Sequence, residues 1–347
     1  MSRGRRLRNL VQMRISGRRC TWVVLASGGW AFFLMLWLLY TTQTPSYDLE
    51  WFEEGGDAPP TYRSLSENDP PPDSVMLLEG YNNSRLTSRM YCALESAARA
   101  HYPTPVIMFM TSKKLKETRL LENLTKELNN IQILHLNIDK LFNKSPLRDW
   151  YTKKKWEESD WPQAHFNDAL RWLLLWYYGG VYLDLDVVVL RSLARLPNCT
   201  GLESGQWASA GVLKFTPAHP IITACLDHFA TQFDGKVWGA NGPKLLTRVL
   251  MKRCGLELPS GKVPGCKDIA VLSPRAFYPL AWWDWQLYMQ DDPLLSDLLL
   301  QDPDVYVLHV WNLHSRQVPV RLHSEQPYAR AANRFCPLTA AHSGPMM

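Results

Sequence analysis

The chain of 347 residues is 46% hydrophobic and 20% charged, which is typical of a folded globular protein and not of a disordered one. Its net charge of +5 comes from the first 20 residues, which contain seven arginines and no acid, so the remainder carries −2. The basic charge therefore belongs to a short tail, and a nucleic-acid-binding surface is excluded as its explanation.

An uncharged run of 20 residues, Thr21 to Tyr40, follows the basic tail. A helix of this length can span a bilayer, and the arginines before it predict a cytosolic tail at 1–20 and a lumenal remainder. A cleaved signal peptide is the alternative, but the run is long for one and no small-x-small cleavage site follows. Residues 41–74, rich in Pro, Asp, Glu and Ser, are predicted to be an extended stem before a folded domain at 75–347.

Six cysteines follow the predicted anchor. In an oxidising lumen an even number indicates disulfides, although six cysteines allow fifteen connectivities. We predict only the pair Cys254–Cys266, which would close a short loop containing Gly and Pro; buried free thiols are the alternative. No cysteine or histidine spacing indicates zinc. Four N-glycosylation sequons begin at Asn82, Asn123, Asn143 and Asn198.

Strand-like and helix-like stretches alternate beyond the stem, which predicts an α/β fold with a mostly parallel sheet. The predicted strands are Val75–Leu78, Pro105–Met110, Ile131–Leu136, Val181–Leu190, Val212–Phe215, Ala270–Leu272 and Val305–Val310. The predicted helices are Ser88–His101, Phe166–Tyr178, Pro220–Phe233 and Gly242–Lys252, and Gly179-Gly180 is expected to end the second of them.

The sharpest chemical pattern is the pair Asp184 and Asp186 in an otherwise apolar predicted strand. Residues i and i+2 of a strand point to the same side, so two carboxylates would repel unless a proton or a cation lies between them. A divalent cation held there could bridge the two phosphates of a nucleotide diphosphate. The alternative is that one carboxylate caps the next element and the other is solvated.

Three other charged or titratable residues are candidates for the same site. Asp168 falls in the first turn of the predicted helix and Arg171 one turn later, a pattern that a helix-dipole contact and an ion pair would also explain. In a functional site Arg171 would offset diphosphate charge and Asp168 would order the nucleotide end. His309 near a late strand could complete a metal shell if the fold returns it to the acids, although a lone His is more often structural.

Two segments are candidates for sugar or phosphate contacts. The loop with Gly239, Asn241 and Gly242 precedes a helix, so its backbone amides could face a ligand; an ordinary Gly/Pro turn is the alternative. Trp283 and Asp284 belong to a dense aromatic cluster, and sugars stack on tryptophan while acids hold their hydroxyls. Core packing is the alternative for that cluster.

The run from about Leu77 to Pro337 resembles the α1,4-glycosyltransferases of the globotriaosylceramide synthase type. The segments that carry the resemblance are CALESAARAH (92–101), PLRDWY (146–151), NDALRWLLLWYYGGVYLDLDVVVL (167–190), WGANGPKLLTRV (238–249), AFYPLAWWDW (276–285) and VLHVWN (307–312). They occur in the family's order and cover most of the predicted lumenal chain.

The resemblance implies a GT-A fold (Rossmann-like, with a single nucleotide-sugar-binding domain), Mn²⁺, a UDP-galactose donor and a lactosylceramide acceptor, with retention of the α-configuration. It also implies a type II protein of the Golgi membrane, which could form homo-oligomers or hetero-oligomers with other Golgi transferases. Asp184 and Asp186 fall on the family's Asp-x-Asp pair and His309 on its C-terminal His, a candidate third metal ligand. Asp168 and Arg171 fall on the Ser-Asp-x-x-Arg element, and Tyr182 joins them as a candidate donor-binding residue.

Three departures from the family pattern leave the substrates open. Leu185 replaces the usual Thr, Ser209-Ala210-Gly211 stands where Asn-Gly-Ala is common, and Gly239–Pro243 reads GANGP for GHQGP. UDP-GalNAc or UDP-GlcNAc as donor, and a glycoprotein glycan as acceptor, are therefore alternatives. Two other classes also remain: a metal-dependent lumenal nucleotide-sugar hydrolase, and a lectin-like or chaperone protein without activity.

Overall fold

The computed structural model describes residues 70–116 and 118–347. The predicted tail, the predicted anchor at Thr21–Tyr40 and nearly all of the predicted stem lie outside the described residues. Within the described ranges, no helix is both long and apolar enough to cross a bilayer.

The described chain contains one seven-stranded sheet in the order β3-β2-β1-β4-β7-β6-β8, and a separate ladder in which β5 pairs with β9. The strands are β1 (Val75–Glu79), β2 (Val106–Met110), β3 (Ile131–His135), β4 (Gly180–Leu183), β5 (Val187–Val189), β6 (Asn198–Glu203), β7 (Trp207–Phe215), β8 (Ile269–Leu272) and β9 (Val307–His309). The predicted α/β class is confirmed, but the sheet is mixed: β7 runs antiparallel to both β4 and β6. A short turn joins β6 to β7, and such a hairpin forces an antiparallel pair.

Helices cover both faces of the sheet. They are α1 (Ser88–His101), α2 (Arg119–Glu127), α3 (Ile138–Asn143), α4 (Arg148–Thr152), α5 (Pro162–Tyr178), α6 (Pro220–Gln232), α7 (Pro243–Cys254), α8 (Pro274–Phe277), α9 (Pro293–Gln301), α10 (Asn312–Ser315), α11 (Pro327–Phe335) and α12 (Pro337–Ser343), with a 3₁₀ helix at Trp282–Met289. Met76 and Leu78 of β1 belong to the same buried cluster as α5, whereas Val75 and Leu77 belong to the cluster of α1. Side chains of a strand alternate between its two faces, so β1 contributes residues to the hydrophobic cores on both faces of the sheet.

Helix α5 begins one turn earlier than predicted, because Pro162 is accommodated at its first position. Asp168 consequently lies in the second turn, and its interpretation as a first-turn acid is wrong. The helix ends at Gly179, as predicted. Gly179 and Gly180 have φ of +61° and +84°, and a Cβ on Gly180 would lie 2.3 Å from the Ser74 carbonyl oxygen. Only glycine tolerates both conditions, so this pair links α5 tightly to β4.

The predicted single strand Val181–Leu190 is wrong. It is two strands in two different sheets: β4 ends with Leu183 paired to Val212, and β5 begins with Val187 paired to His309. The three residues Asp184, Leu185 and Asp186 lie between them, outside either ladder. Strand alternation therefore does not orient the two acids, and the predicted strand Val305–Val310 is reduced to β9.

Two disulfides close the fold among the described residues. The predicted Cys254–Cys266 bridge is confirmed, with an S–S distance of 1.98 Å. A second bridge, Cys92–Cys336, joins α1 to the start of α12 across 244 positions. Cys199 and Cys225 are buried free thiols, so the free-thiol alternative holds for that pair.

Candidate active site

Asp184, Asp186 and His309 form a group whose ligand atoms all lie within 4.8 Å of one another. His309 Nε2 is 3.2 Å from Asp186 Oδ1 and 3.7 Å from Asp184 Oδ2. The β5–β9 ladder creates this group, because it pairs His309 directly with Val187, the residue after Asp186. The two acids and the late histidine of the sequence are thus brought together.

The group is accessible on its acid side and buried on its imidazole side. The exposed side-chain fractions are 25% for Asp184, 17% for Asp186 and 8% for His309. Burial would raise the pKa of Asp184, but Arg171 and His309 together outweigh it, and the pKa lies below its ordinary value. Burial would likewise lower the pKa of His309, but Asp186 and Asp184 raise it above its ordinary value. The Asp184 carboxylate is therefore available as an anion.

The donor set suits a divalent cation. Two carboxylate oxygens and one imidazole nitrogen are ligands that Mn²⁺ accepts. Gly211 leaves space beside them, since a Cβ at that position would lie 2.7 Å from Asp184 Oδ2 and 3.2 Å from His309 Nε2. His309 Nδ1 is buried without a hydrogen-bond partner in the described part of the chain, so the polar contacts of the ring are those of Nε2 with the two acids.

Arg171 links the acids to helix α5. Its Nη2 is 3.3 Å from Asp184 Oδ1 and 3.7 Å from Asp168 Oδ1, and its Nη1 donates to the Ala210 carbonyl over 2.6 Å. Burial raises the pKa of Asp168 to about 7, although Arg171 opposes the shift. Tyr182 donates its hydroxyl to Asp184 Oδ1 over 3.0 Å, and its ring lies beneath the Arg171 guanidinium. The predicted Asp168, Arg171 and Tyr182 therefore form one network with the first acid.

The predicted glycine loop is only partly at the site. A Cβ on Gly242 would lie 2.6 Å from Asp168 Oδ1, so the loop backbone closes against that carboxylate. The Asn241 side chain is instead buried: it accepts from the Asp234 N–H and donates to the Asp234 carbonyl. These bonds use the side-chain amide of Asn241 to fasten the loop, and the prediction that the backbone amides of the loop face a ligand stays a prediction. Gly239, with φ of +69°, makes a turn against Pro243.

The predicted tryptophan cluster lies beside the site and not within the group of three. Trp283 and Asp284 belong to the 3₁₀ helix at Trp282–Met289, which packs on α10. Trp283 is 49% exposed, and burial raises the pKa of Asp284 despite a hydrogen bond with Trp283. Trp282 stacks on His314 of α10 with ring centroids 5.6 Å apart. Helix α10 connects this cluster to the site, because its first residue contacts Asp186.

Two aromatic residues at the site were not predicted. Tyr81 follows β1 and lies in the electrostatic field of Asp184 and Arg171, and Glu79 accepts its backbone N–H over 3.2 Å. Its position after the first strand could have indicated it, because ligands of open α/β sheets bind at the carboxyl ends of strands. Tyr278 is buried with its ring centroid 5.4 Å from that of His309. No local pattern distinguished Tyr278 from a core tyrosine.

Comparisons with known proteins agree with this site. Residues 87–204 match the family described as a glycosyltransferase sugar-binding region containing the DXD motif, and residues 214–343 match the alpha 1,4-glycosyltransferase conserved region. Lactosylceramide 4-alpha-galactosyltransferase of Mus musculus is 34% identical over 77% of this chain and 75% of its own length. The enzyme of the same name from Homo sapiens is 33% identical over 81% of this chain and 79% of its own.

More distant proteins also align. Alpha-1,4-N-acetylglucosaminyltransferase of Homo sapiens is 29% identical over 69% of this chain and 71% of its own length. The solved galactosyltransferase LgtC, in complex with donor and acceptor sugar analogs, aligns with 17% identity and a TM-score of 0.42 over 77% of this chain and 95% of that chain. On the two family matches and the 33–34% identity over 75–79% of the length of these relatives, the chain belongs to the α1,4-glycosyltransferase family and is a glycosyltransferase.

Proposed function

We propose that this enzyme transfers galactose from UDP-galactose to the terminal galactose of lactosylceramide, in α1,4 linkage and with retention of the donor's α-configuration. The observation that carries the proposal is the Asp184, Asp186 and His309 group, with ligand atoms within 4.8 Å of one another at the carboxyl end of β4. The names of the relatives at 33–34% identity support this donor and acceptor. The N-acetylglucosaminyltransferase relative supports UDP-GlcNAc as an alternative donor, and UDP-GalNAc is kept as the other alternative from the sequence.

Asp184, Asp186 and His309 would hold Mn²⁺ in a GT-A-type site. When bound, the ion supplies positive charge that offsets the UDP leaving group. The chain's own residues prepare this arrangement: Tyr182 and Arg171 orient Asp184, and the Asn312 backbone N–H orients Asp186. Such hydrogen bonds to the ligands hold a metal site in its productive geometry.

Arg171 would provide a second positive charge, beside that of the metal ion, to offset the negative charge of the donor's diphosphate. Its side chain is 12% exposed, lies between two carboxylates, and its Nε is buried without a partner in the described chain. A diphosphate oxygen that approached Asp184 would therefore enter the field of a guanidinium already fixed in place. For retention we favour attack of the acceptor hydroxyl on the same face from which UDP leaves, with the departing phosphate oxygen accepting the hydroxyl proton.

We further propose that the enzyme is a type II protein of the Golgi membrane. The basic tail and uncharged run at residues 1–40 support this topology. The two disulfides are compatible with an oxidising lumen. Fluorescence microscopy of the tagged chain, with protease protection of the C-terminal tag, tests it: a cytosolic C-terminus contradicts the proposal.

A donor screen tests the activity. The full chain in detergent is given UDP-galactose, UDP-GalNAc or UDP-GlcNAc with lactosylceramide, with Mn²⁺ or with EDTA, and the linkage is determined by NMR. We expect an α1,4-linked galactose product that requires the cation. Transfer of another sugar would assign the alternative donor, and UDP release that ignores the acceptor would indicate a hydrolase.

A further inference from the structure

The β6–β7 hairpin presents a row of side chains toward the site. A Cβ on Gly211 of β7 would point at Asp184, at His309 and at the Tyr278 hydroxyl, which defines the face of the strand that lines the site. The pairing of β6 with β7 shifts register between Thr200 and Leu202, but Ala208 and Ala210 both belong to the core on the opposite face, so Ser209 and Trp207 follow Gly211 along this one. Glu203 of β6 is paired directly with Trp207, and paired residues of adjacent strands project to the same side.

Glu203 is a half-buried carboxylate in this row. It accepts a hydrogen bond from the Ser209 hydroxyl and lies in the field of His309 and of Tyr278. The groups that act on it in the described chain are Ser209 and His309, and Lys244 Nζ lies 5.8 Å from the ring centroid of Trp207, the residue paired with Glu203. A half-buried carboxylate whose one named hydrogen bond comes from Ser209 retains acceptor capacity for a ligand.

The position of Glu203 in the sheet indicates which part of a substrate it can reach. In the order β1-β4-β7-β6, Tyr81 follows β1, the acid Asp184 follows β4, and Glu203 ends β6. Neighbouring strands are about 4.8 Å apart, so β6 lies roughly 14 Å from β1. A nucleoside diphosphate placed between Tyr81 and Asp184 would leave Glu203 on the side of the transferred and accepting sugars.

Trp207 distinguishes between the two sugars. It lies opposite Glu203 and is 37% exposed, whereas Ser209 and Tyr278 behind it are buried. The donor sugar is covalently tied to the diphosphate near the acids, but the acceptor must enter from solvent. An exposed indole beside a carboxylate is the combination that binds a free hexose, with stacking on one face and hydrogen bonds to hydroxyls.

We propose that Glu203 binds hydroxyls of the acceptor hexose, with Trp207 stacking against its ring. This inference rests on the proposed glycosyl transfer for the kinetic test but not for the binding test below. It assigns a role to a residue that no motif in the sequence indicated.

The kinetic test compares the full chain in detergent with its Glu203→Gln variant. The amide oxygen of Gln can still accept from the Ser209 hydroxyl, so the hairpin is expected to keep its structure. Loss of a hydrogen bond to a charged group should raise the KM for lactosylceramide roughly 10- to 100-fold. The KM for UDP-galactose and the acceptor-independent release of UDP should stay unchanged. Gln206→Ala, at an exposed position of the same turn, is the matched control and should behave as wild type.

The binding test uses lactose as the probe. Saturation-transfer NMR of the wild-type chain with UDP and Mn²⁺ should show contact with lactose, and Glu203→Gln and Trp207→Ala should lose it. An unchanged KM for lactosylceramide together with unchanged lactose contact would overturn the proposal. A raised KM for UDP-galactose alone would also overturn it, because Glu203 would then serve the donor. Glu203-dependent lactose contact without transfer would refute the proposed reaction while leaving this inference standing.

Discussion

The Asn312 backbone N–H donates to Asp186 Oδ2 over 2.9 Å, although the two residues are 126 positions apart in the chain. In the same segment His309 pairs with Val187 and faces both acids, and Trp311 turns the chain with a φ of +54°. The late segment 309–312 thus supplies both a candidate ligand and the hydrogen bond that orients another. Residues that are remote in sequence decide whether the Asp-x-Asp pair can act.

Replacing Asp186 with Asn should abolish transfer without unfolding the protein. The substitution removes one negative charge from the group but keeps an oxygen that can accept from Asn312. We expect at least a roughly 100-fold loss of transfer and of Mn²⁺-dependent UDP binding, since both depend on charge at this point. Transfer assays and calorimetry measure these effects. Asp160→Asn, an exposed acid that pairs with Lys236, is the control and should remain active. Normal turnover in Asp186→Asn would contradict the metal role.

Gly211→Ala should damage the site more than the fold. The added methyl would lie 2.7 Å from Asp184 Oδ2 and 3.2 Å from both His309 Nε2 and the Tyr278 hydroxyl, so at least one ligand must move. Overpacking of this kind costs about 1–3 kcal/mol. We expect a modest drop in melting temperature but at least a roughly 10-fold weaker Mn²⁺-dependent binding of UDP.

The control for this substitution is Gly344→Ala, where a Cβ meets nothing within 4 Å. It carries its own backbone strain from a φ of +71° but lies in the last turn of the chain. It should leave UDP binding unchanged. Equal losses of binding in the two variants would show that the effect of Gly211→Ala is not local.

His101 should make stability fall as the pH falls. Its Nε2 accepts from the Leu193 N–H and its Nδ1 donates to the Ala97 carbonyl, and this pattern requires the neutral ring. Burial lowers its pKa in the folded chain. Below its ordinary pKa of about 6.5 the unfolded chain binds a proton that the folded chain does not, so acid favours unfolding until the folded pKa is passed.

The test compares thermal unfolding of wild type and His101→Gln at pH 7.5 and pH 5.5. The variant should be less stable at pH 7.5, because two buried hydrogen bonds are altered, but it should lose less stability between the two pH values. Other buried histidines remain in both proteins and cancel in the difference. An identical pH dependence would show that His101 does not contribute.

The two disulfides should contribute unequally. Cys92–Cys336 spans 244 positions and Cys254–Cys266 spans 12. Cross-links restrict the unfolded chain more when they close longer loops, with typical contributions of about 2–4 kcal/mol. Thermal unfolding of the Cys92→Ser/Cys336→Ser and Cys254→Ser/Cys266→Ser variants measures both. A larger loss from the second pair would indicate that the short loop is stabilised by more than chain entropy.

Local patterns predicted local structure well. Helix α1 has the predicted bounds, and β1, β2 and β3 each differ from prediction by one residue at one end, because the pattern of apolar residues that predicts them lies within contiguous segments. Strand β6 escaped prediction, since its sequence NCTGLE lacks a run of β-branched or aromatic residues. The break between β4 and β5 was not predicted either, because the run VYLDLDVVVL contains no Gly or Pro that would indicate where one strand ends and the next begins.

The chemical types at the site can be read from the amino-acid sequence: two acids, an arginine and a histidine, in segments that resemble one enzyme family. That these residues meet at one place follows from the fold. Pairing of β5 with β9 places His309 beside Asp184 and Asp186, and the β6–β7 hairpin places Glu203 on the face that lines this group. The β5–β9 contact joins strands more than a hundred residues apart and depends on how whole layers pack, which no periodicity within one segment encodes.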